Sequence, residues 1–456
     1  MTSKIVVNNI ESDSGISSVT FTSDIELGTK NLKGHNLEST GIVTAVSFTG
    51  SGANLTNLPA GNLSGALPAI SGANLTGIDT SFGSGTSVNT TGIITATAFI
   101  PTTGQLSHRN KVINGAMNVA QRNMPITSAN GYCLDMFKLW DGMDSGVATV
   151  DQSTHSPDGF SKSFKVDITT ADTSLAATDY ARIHHRIEAQ NLQDLAYGTS
   201  EAKNIVISFY VRSTTTGTYV FSIEQSDNSN KHCVFNYTVN SANTWERKTF
   251  SIAGDTAGVI NDDNGYGFTM YWILAAGSNY SSGSTRSTWT AKVAADSMAG
   301  QSVNLFSNTS NELFLTGVQL EVGPVATPFE FRSYGDELQR CQRYFYMHAN
   351  GSVDGNSGNC ALSDNATAYN GSTCFFSVVF PTTMRTKPSL VVSNGSNHYG
   401  YYVNGGSLTS FSTIGLDGVT TRTVGNVNFS GSFSGGQAVL VRTKDTSATM
   451  AFSADL

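Results

Sequence analysis

The middle of the chain alternates apolar and polar side chains in short runs. In Asn204-Ile-Val-Ile-Ser-Phe-Tyr-Val211, one face carries Ile205, Ile207 and Phe209; the other carries Val206, Ser208 and Tyr210. A period of two belongs to strands, not helices. Comparable runs predict strands at 163–169, 182–189, 204–211, 218–224, 233–239, 245–252, 267–274 and 312–321. Turn-forming residues separate them, as in Asp227-Asn-Ser-Asn230 and Asn261-Asp-Asp-Asn-Gly265. Many short strands with such turns imply a β-sandwich or jelly roll. Strands return at 373–380, 389–393, 400–403 and from 437–443 on to 456, with Gly405-Gly406 and Gly435-Gly436 as turns.

One helix is predicted near 335–347. Ser333 can cap it and Glu337 suits its first turns. Leu338, Cys341 and Phe345 then share one apolar face.

The N-terminal part repeats. Ser51-Gly-Ala-Asn-Leu-Thr56 recurs as Ser71-Gly-Ala-Asn-Leu-Thr76, and Thr40-Gly-Ile-Val-Thr-Ala-Val-Ser-Phe48 returns as Thr91-Gly-Ile-Ile-Thr-Ala-Thr-Ala-Phe99. Residues 41–107 hold a single formal charge, Asp79. One short unit cannot bury its own apolar face, so stacking must do it. Both an intertwined trimer and a single-chain β-solenoid satisfy the pattern. The expected fold class is therefore all-β. It comprises an N-terminal segment at 1–40, a repetitive β stalk at 41–107, a jelly-roll or β-sandwich domain at 108–333, a connecting helix at 334–347 and a small C-terminal β-domain at 348–456.

Composition narrows the function. Only 13% of the 456 residues are charged, about half the usual share. The net charge of −8 lacks the basic footprint that nucleic acid requires. No run of about 18 apolar residues is present, so no membrane insertion is expected. The first residues lack an apolar leader core, which predicts synthesis in a cytoplasm without secretion. Cys133, Cys233, Cys341, Cys360 and Cys374 are read as buried apolar side chains.

Catalytic chemistry is not expected. Asp135 with Asp141 and Asp144, or Asp255 with Asp262 and Asp263, could supply paired carboxylates, but the Asp-Gly and Asp-Asp-Asn-Gly contexts read as turns. Asn261–Gly265 lacks the ligand spacing of an EF-hand, so no metal and no cofactor are expected. His184 and His185 are adjacent on a strand, so their rings face opposite sides.

Asn114-Gly-Ala-Met-Asn-Val-Ala-Gln-Arg122, Tyr132 with Phe137-Lys-Leu-Trp140, Gln190-Asn-Leu192, Ile207-Ser-Phe-Tyr-Val-Arg212 and Trp245-Glu-Arg-Lys-Thr249 resemble the jelly-roll module of phage tail fibres. The most specific match is Phe314-Leu-Thr-Gly-Val-Gln-Leu-Glu-Val-Gly-Pro-Val-Ala-Thr-Pro-Phe-Glu-Phe-Arg-Ser333, followed by Tyr334-Gly-Asp-Glu-Leu-Gln-Arg-Cys-Gln-Arg-Tyr344. The upstream repeats look like stalks of marine cyanophage-type fibres. The resemblance implies a virion protein of the phage tail: a homotrimer, docked through its N-terminus on a tail or baseplate protein, with distal domains that bind a host surface polysaccharide.

A flat aromatic ring covers the apolar face of a pyranose while neighbouring polar groups bond its hydroxyls. The densest such cluster is His398-Tyr-Gly-Tyr-Tyr-Val-Asn404, which makes His398, Tyr399, Tyr401, Tyr402 and Asn404 the candidate glycan-binding residues. On a strand, Tyr399 and Tyr401 share one face and Tyr402 takes the other. A neck or baseplate appendage without receptor contact is the alternative, and a polysaccharide depolymerase spike a more distant one.

Overall fold

The alternating runs fold as antiparallel strands. The computed structural model describes residues 107–456 except 123–125, 128–130, 228–229 and 353–358, together with 40–42 and 44. Chain contacts divide the protein into Met1–Thr95 and Ala96–Leu456. The expected attachment segment and stalk fall almost wholly outside the described residues. The elements below all belong to the second unit.

Thirteen strands build a sandwich. They are β1 (Ile126–Thr127), β2 (Gly131–Leu134), β3 (Phe137–Asp141), β4 (Val147–Ser153), β5 (Ser163–Thr170), β6 (Tyr180–Glu188), β7 (Ile205–Ser213), β8 (Gly217–Gln225), β9 (Lys231–Val239), β10 (Glu246–Ile252), β11 (Tyr266–Ala276), β12 (Arg286–Ala291) and β13 (Glu312–Val322). One sheet runs β1-β4-β5-β13-β7-β10; the other runs β12-β9-β8-β11-β6-β3-β2. The alternation decides which side chains go inside. Ile205, Ile207, Phe209 and Val211 face the core, and Trp272 closes it against Phe209 at 5.7 Å and Phe221 at 5.4 Å. All five cysteines are buried.

The segment with the most specific resemblance is a structural clasp. The ladder between β13 and β7 breaks its register between Thr316 and Gln319. Gly317 turns there with φ +61°, and a Cβ on it would stand 2.8 Å from Phe160 and Tyr210, so only glycine fits without strain. Beyond β13, Glu330 accepts the Asn110 N–H at 2.9 Å and Arg332 donates to the Asn110 and Val112 carbonyls. Glu337 accepts the Asn114 N–H. Asn114 is itself fully buried, and its amide bonds Val119 and Asp135. The two stretches of the resemblance thus hold one another across some 220 positions.

After the four-residue helix α1 (Ser278–Ser281), the longer helix is α2 (Tyr334–Gln342). The Ser333 hydroxyl accepts from the Asp336 N–H, with Asp336 and Glu337 in the first turn and Arg340 in the last, as the helix dipole favours. Cys341 is buried and Leu338 packs on the sandwich core. The helix stops at Gln342, short of the expected 347. Phe345 fits the helical period, yet the Tyr344 N–H closes onto Cys341 O at 2.9 Å and Phe345 opens a strand.

That strand, β14 (Phe345–Asn350), begins the C-terminal part. It continues with β15 (Ala361–Ala368), β16 (Thr373–Val379), β17 (Ser389–Val392), β18 (Tyr399–Tyr402), β19 (Thr409–Phe411), β20 (Gly415–Val419), β21 (Thr423–Ser430), β22 (Ala438–Thr443) and β23 (Thr449–Ser453). These form the sheets β14-β23-β17 and β19-β18-β22-β15-β16-β21-β20. Their own core includes Phe376, Tyr399, Tyr401, Phe411, Phe429, Val441 and Phe452.

A polar joint ties this part to the sandwich. Arg343 reaches the fully buried Glu188 at 2.5 and 2.9 Å, and the Tyr344 hydroxyl adds a bond of 2.7 Å. Arg385 donates to the carbonyls of Ala454, Asn264 and Asp455 at 2.6–2.8 Å. Arg122 holds Asp455 at 2.6 Å and lies 3.8 Å over the Phe345 ring.

Candidate functional site

The structure divides the expected glycan-binding residues between core and surface. Tyr399 is 1% exposed, stacks on Phe411 and donates its hydroxyl to Thr449 O at 2.7 Å. Tyr401 is 3% exposed, packs against Phe429 and Phe433, and accepts the Ser432 N–H. Neither ring presents a face to solvent. His398 is engaged by Ser393 at 2.7 Å and Ser447 at 3.2 Å. Tyr402 and Asn404 remain on the surface, where they line an open groove of about 400 Å³ with Gly405, Gly406, Ala438 and Leu440. The alternation of β18 thus sends two tyrosines inward and one outward.

The acidic candidates do not converge. Asp135 is buried, accepts from Gln121 N and Gln121 Nε2, and has Arg122 at 3.5 Å as its ion-pair partner. Burial lifts its carboxyl above the ordinary range against these donors. Asp255 pairs with Lys231 at 2.7 Å. Asp263 closes its turn onto Gly265 N at 2.8 Å.

A second surface lies on the outer face of the sheet that contains β6. Strand register brings it together from distant stretches. Lys138 stands opposite His184 and Trp140 opposite Arg182, while His184 pairs across its other edge with Tyr271 and Arg186 with Thr269. Arg182, His184 and Arg186 are alternate residues of one strand, so they share this face at steps of about 7 Å. The rings are interleaved with cations. Lys138 Nζ lies 4.2 Å from the Trp140 ring, the Arg182 guanidinium 4.4 Å from Tyr271, and the Arg186 guanidinium 4.4 Å from Tyr266. Trp140 is half-buried and parallel to the His184 ring, and Tyr266 is 44% exposed.

Part of this face is roofed. Tyr280 and Met298 pack over Val220, Val234, Tyr271 and Ile273. Beneath that roof Glu224 accepts from Lys292 at 2.7 Å and from Tyr271 at 3.0 Å. On the opposite flank Leu456 O accepts from Tyr132 and, at 2.7 Å, from Arg186. Arg182 lines the cavity at the roof's edge with Tyr280 and Met298, and Tyr132, Lys138, Trp140, Arg186 and Tyr266 continue the face beyond it.

His184 and His185 separate as the strand requires. His185 points inward, against Phe137 at 4.7 Å with Ile113 O bonded at 3.1 Å, and burial lowers it to about 4. His184 points outward, and burial followed by Arg182, Arg186 and Lys138 holds it well below the usual imidazole value. It is therefore neutral at neutral pH.

From the sequence, Trp140 enters only through the resemblance, and none of these cations is singled out as a site residue. The only available signal was that β6 alternates charged residues with Ile183 and Ile187 on its other face.

No family model and no curated protein matches the chain. Solved structures similar to it include the enzymatically active domain of bacteriophage CBA120 tailspike protein 4 (11% identity, 47% of this chain and 21% of that one, TM-score 0.26). Another is the family 11 carbohydrate-binding module of a cellulosomal cellulase of Clostridium thermocellum (10% identity, 44% and 96%, TM-score 0.24). A third is a xylan-binding domain of family CBM 22 (11% identity, 50% and 100%, TM-score 0.26). The likeness carries over neither a residue nor a function.

Proposed function

We propose that this protein is a homotrimeric tail fibre of a phage, docked on the tail or baseplate through its N-terminal segment, which recognises a host surface glycan and performs no chemistry. The reading starts from the resemblance of 114–122 and 314–344 to tail-fibre modules and from the nearly charge-free repeats, whose apolar faces partner chains in a trimer would bury. The observation that carries the recognition role is the stripe of Tyr132, Lys138, Trp140, Arg182, Arg186 and Tyr266. Partly exposed rings and outward donors together suit a pyranose. Three copies per fibre would reinforce weak contacts, with avidity of about 10²–10⁴ over one site where geometry allows.

The test is saturable adsorption of the fluorescently labelled full chain to the host bacterium, competed by unlabelled protein. Trp140→Ala should weaken adsorption while the far-ultraviolet spectrum is unchanged. A folded wild type that does not adsorb would make the protein a structural appendage of the neck or baseplate. Shortening of purified host polysaccharide on incubation would make it a depolymerase spike.

A further inference from the structure

On this chain of net charge −8, the outer face of β6 gathers cations that no Asp or Glu side chain pairs. We infer that it takes a sugar bearing an anionic group, a carboxylate or a sulfate, held between Lys138, Arg182 and Arg186. The inference rests on the glycan reading above and specifies its ligand class.

Several cations elsewhere in the sandwich are paired. Lys111 meets Asp194, Lys165 meets Glu312, Lys231 meets Asp255, Arg286 meets Asp296 and Lys292 meets Glu224, each at 2.7–2.8 Å. Among the described residues, Lys138, Arg182 and Arg186 have no Asp or Glu side chain within ion-pair distance. Asp455, which acts on Lys138 electrostatically, is already held by Arg122. Arg186 donates to Leu456 O at 2.7 Å, and Arg182 lies over the Tyr180 and Tyr271 rings.

The polar atoms beneath are also unmatched. Arg182 Nε, Arg186 Nε and both ring nitrogens of His184 are buried without a hydrogen-bond partner, and His184 is 3% exposed. Most buried polar groups are satisfied, so four such atoms on three alternate residues need an explanation. The three charges also repel one another. Burial, and then Arg186, depress the Lys138 ammonium. An anion between them would relieve that repulsion and supply the missing acceptors. The rings alongside would take the sugar's apolar face.

The test passes the full chain over immobilised polygalacturonate, dextran sulfate and neutral dextran at rising salt. Repulsion by the net charge works against adventitious retention on the two acidic polymers. We expect retention on at least one acidic polymer, weakened by salt. Arg182→Gln and Arg186→Gln should each lower it by about tenfold or more, and Lys248→Gln, far from this face, should not. Equal retention on dextran, or acidic retention that survives both substitutions, overturns the inference and leaves the glycan reading standing. No retention on any polymer also overturns it. Adsorption of that preparation to the host bacterium then decides whether the glycan reading falls as well.

Discussion

Arg343 meets Glu188 side-on, at 2.5 and 2.9 Å, where the carboxylate has no contact with water. Nε and Nη2 of the guanidinium take one carboxylate oxygen each, and the Tyr344 hydroxyl takes a further place on the carboxylate. The pair joins β6 to the end of α2. Glu188→Gln leaves a half-buried cation without its counter-charge and should cost about 3–5 kcal/mol. Urea unfolding of Glu188→Gln, Arg343→Gln and the double variant checks this. The double variant should lose clearly less than the sum of the singles.

His185 predicts a pH dependence. It sits near pKa 4 in the folded protein and near 6.5 when unfolded. A base whose folded pKa is depressed contributes stability that is full above the unfolded value and is lost as pH falls through the folded one. The loss between pH 7 and pH 4 should be about 3 kcal/mol from this residue. His185→Gln keeps a donor for Ile113 O and should flatten that share of the slope, read from unfolding midpoints at several pH values.

Gly317→Ala tests the register break in β13. The new Cβ would meet the Phe160 and Tyr210 rings at 2.8 Å with φ +61°. A loss of about 1–3 kcal/mol in thermal unfolding is expected.

The tyrosines of β18 should separate by face. Tyr401→Ala opens a hole beside Phe429 and Phe433 and should destabilise the C-terminal domain by about 3–5 kcal/mol. Tyr402→Ala should stay within about 0.5 kcal/mol of wild type. Reduced host adsorption in Tyr402→Ala would therefore report on the Tyr402–Asn404 groove alone.

Much of the sandwich was readable from alternation, because one face of each strand is packed and the other is not. The expected runs at 163–169, 218–224 and 312–321 became Ser163–Thr170, Gly217–Gln225 and Glu312–Val322. Alternation fails where small or polar residues fill the inward positions. In β15, Ala-Leu-Ser-Asp-Asn-Ala-Thr-Ala, the buried positions are Leu362, Ala366 and Ala368, too weak a signal to mark a strand. Phe345 misled because an i+7 apolar residue fits a helix and a following strand equally well. The cationic face was illegible for another reason. Lys138 and His184 become neighbours only through the pairing of β3 with β6, and register between distant strands is not written in either one.

The clasp around Asn110 has a mechanical consequence. Tension that enters the domain along the chain at Ser107 meets Glu330 and Arg332 within three residues. Lys111 N, bound to Leu320 O, and Gly115 O, bound to Val318 N, share the load. These bonds anchor it on the segment that leads into α2 and on β13, a central strand with partners on both sides. Force is thus spread over several hydrogen bonds in parallel before it reaches the short edge strand β1, so the domain yields late under pulling and keeps its outer faces in shape while the chain is taut.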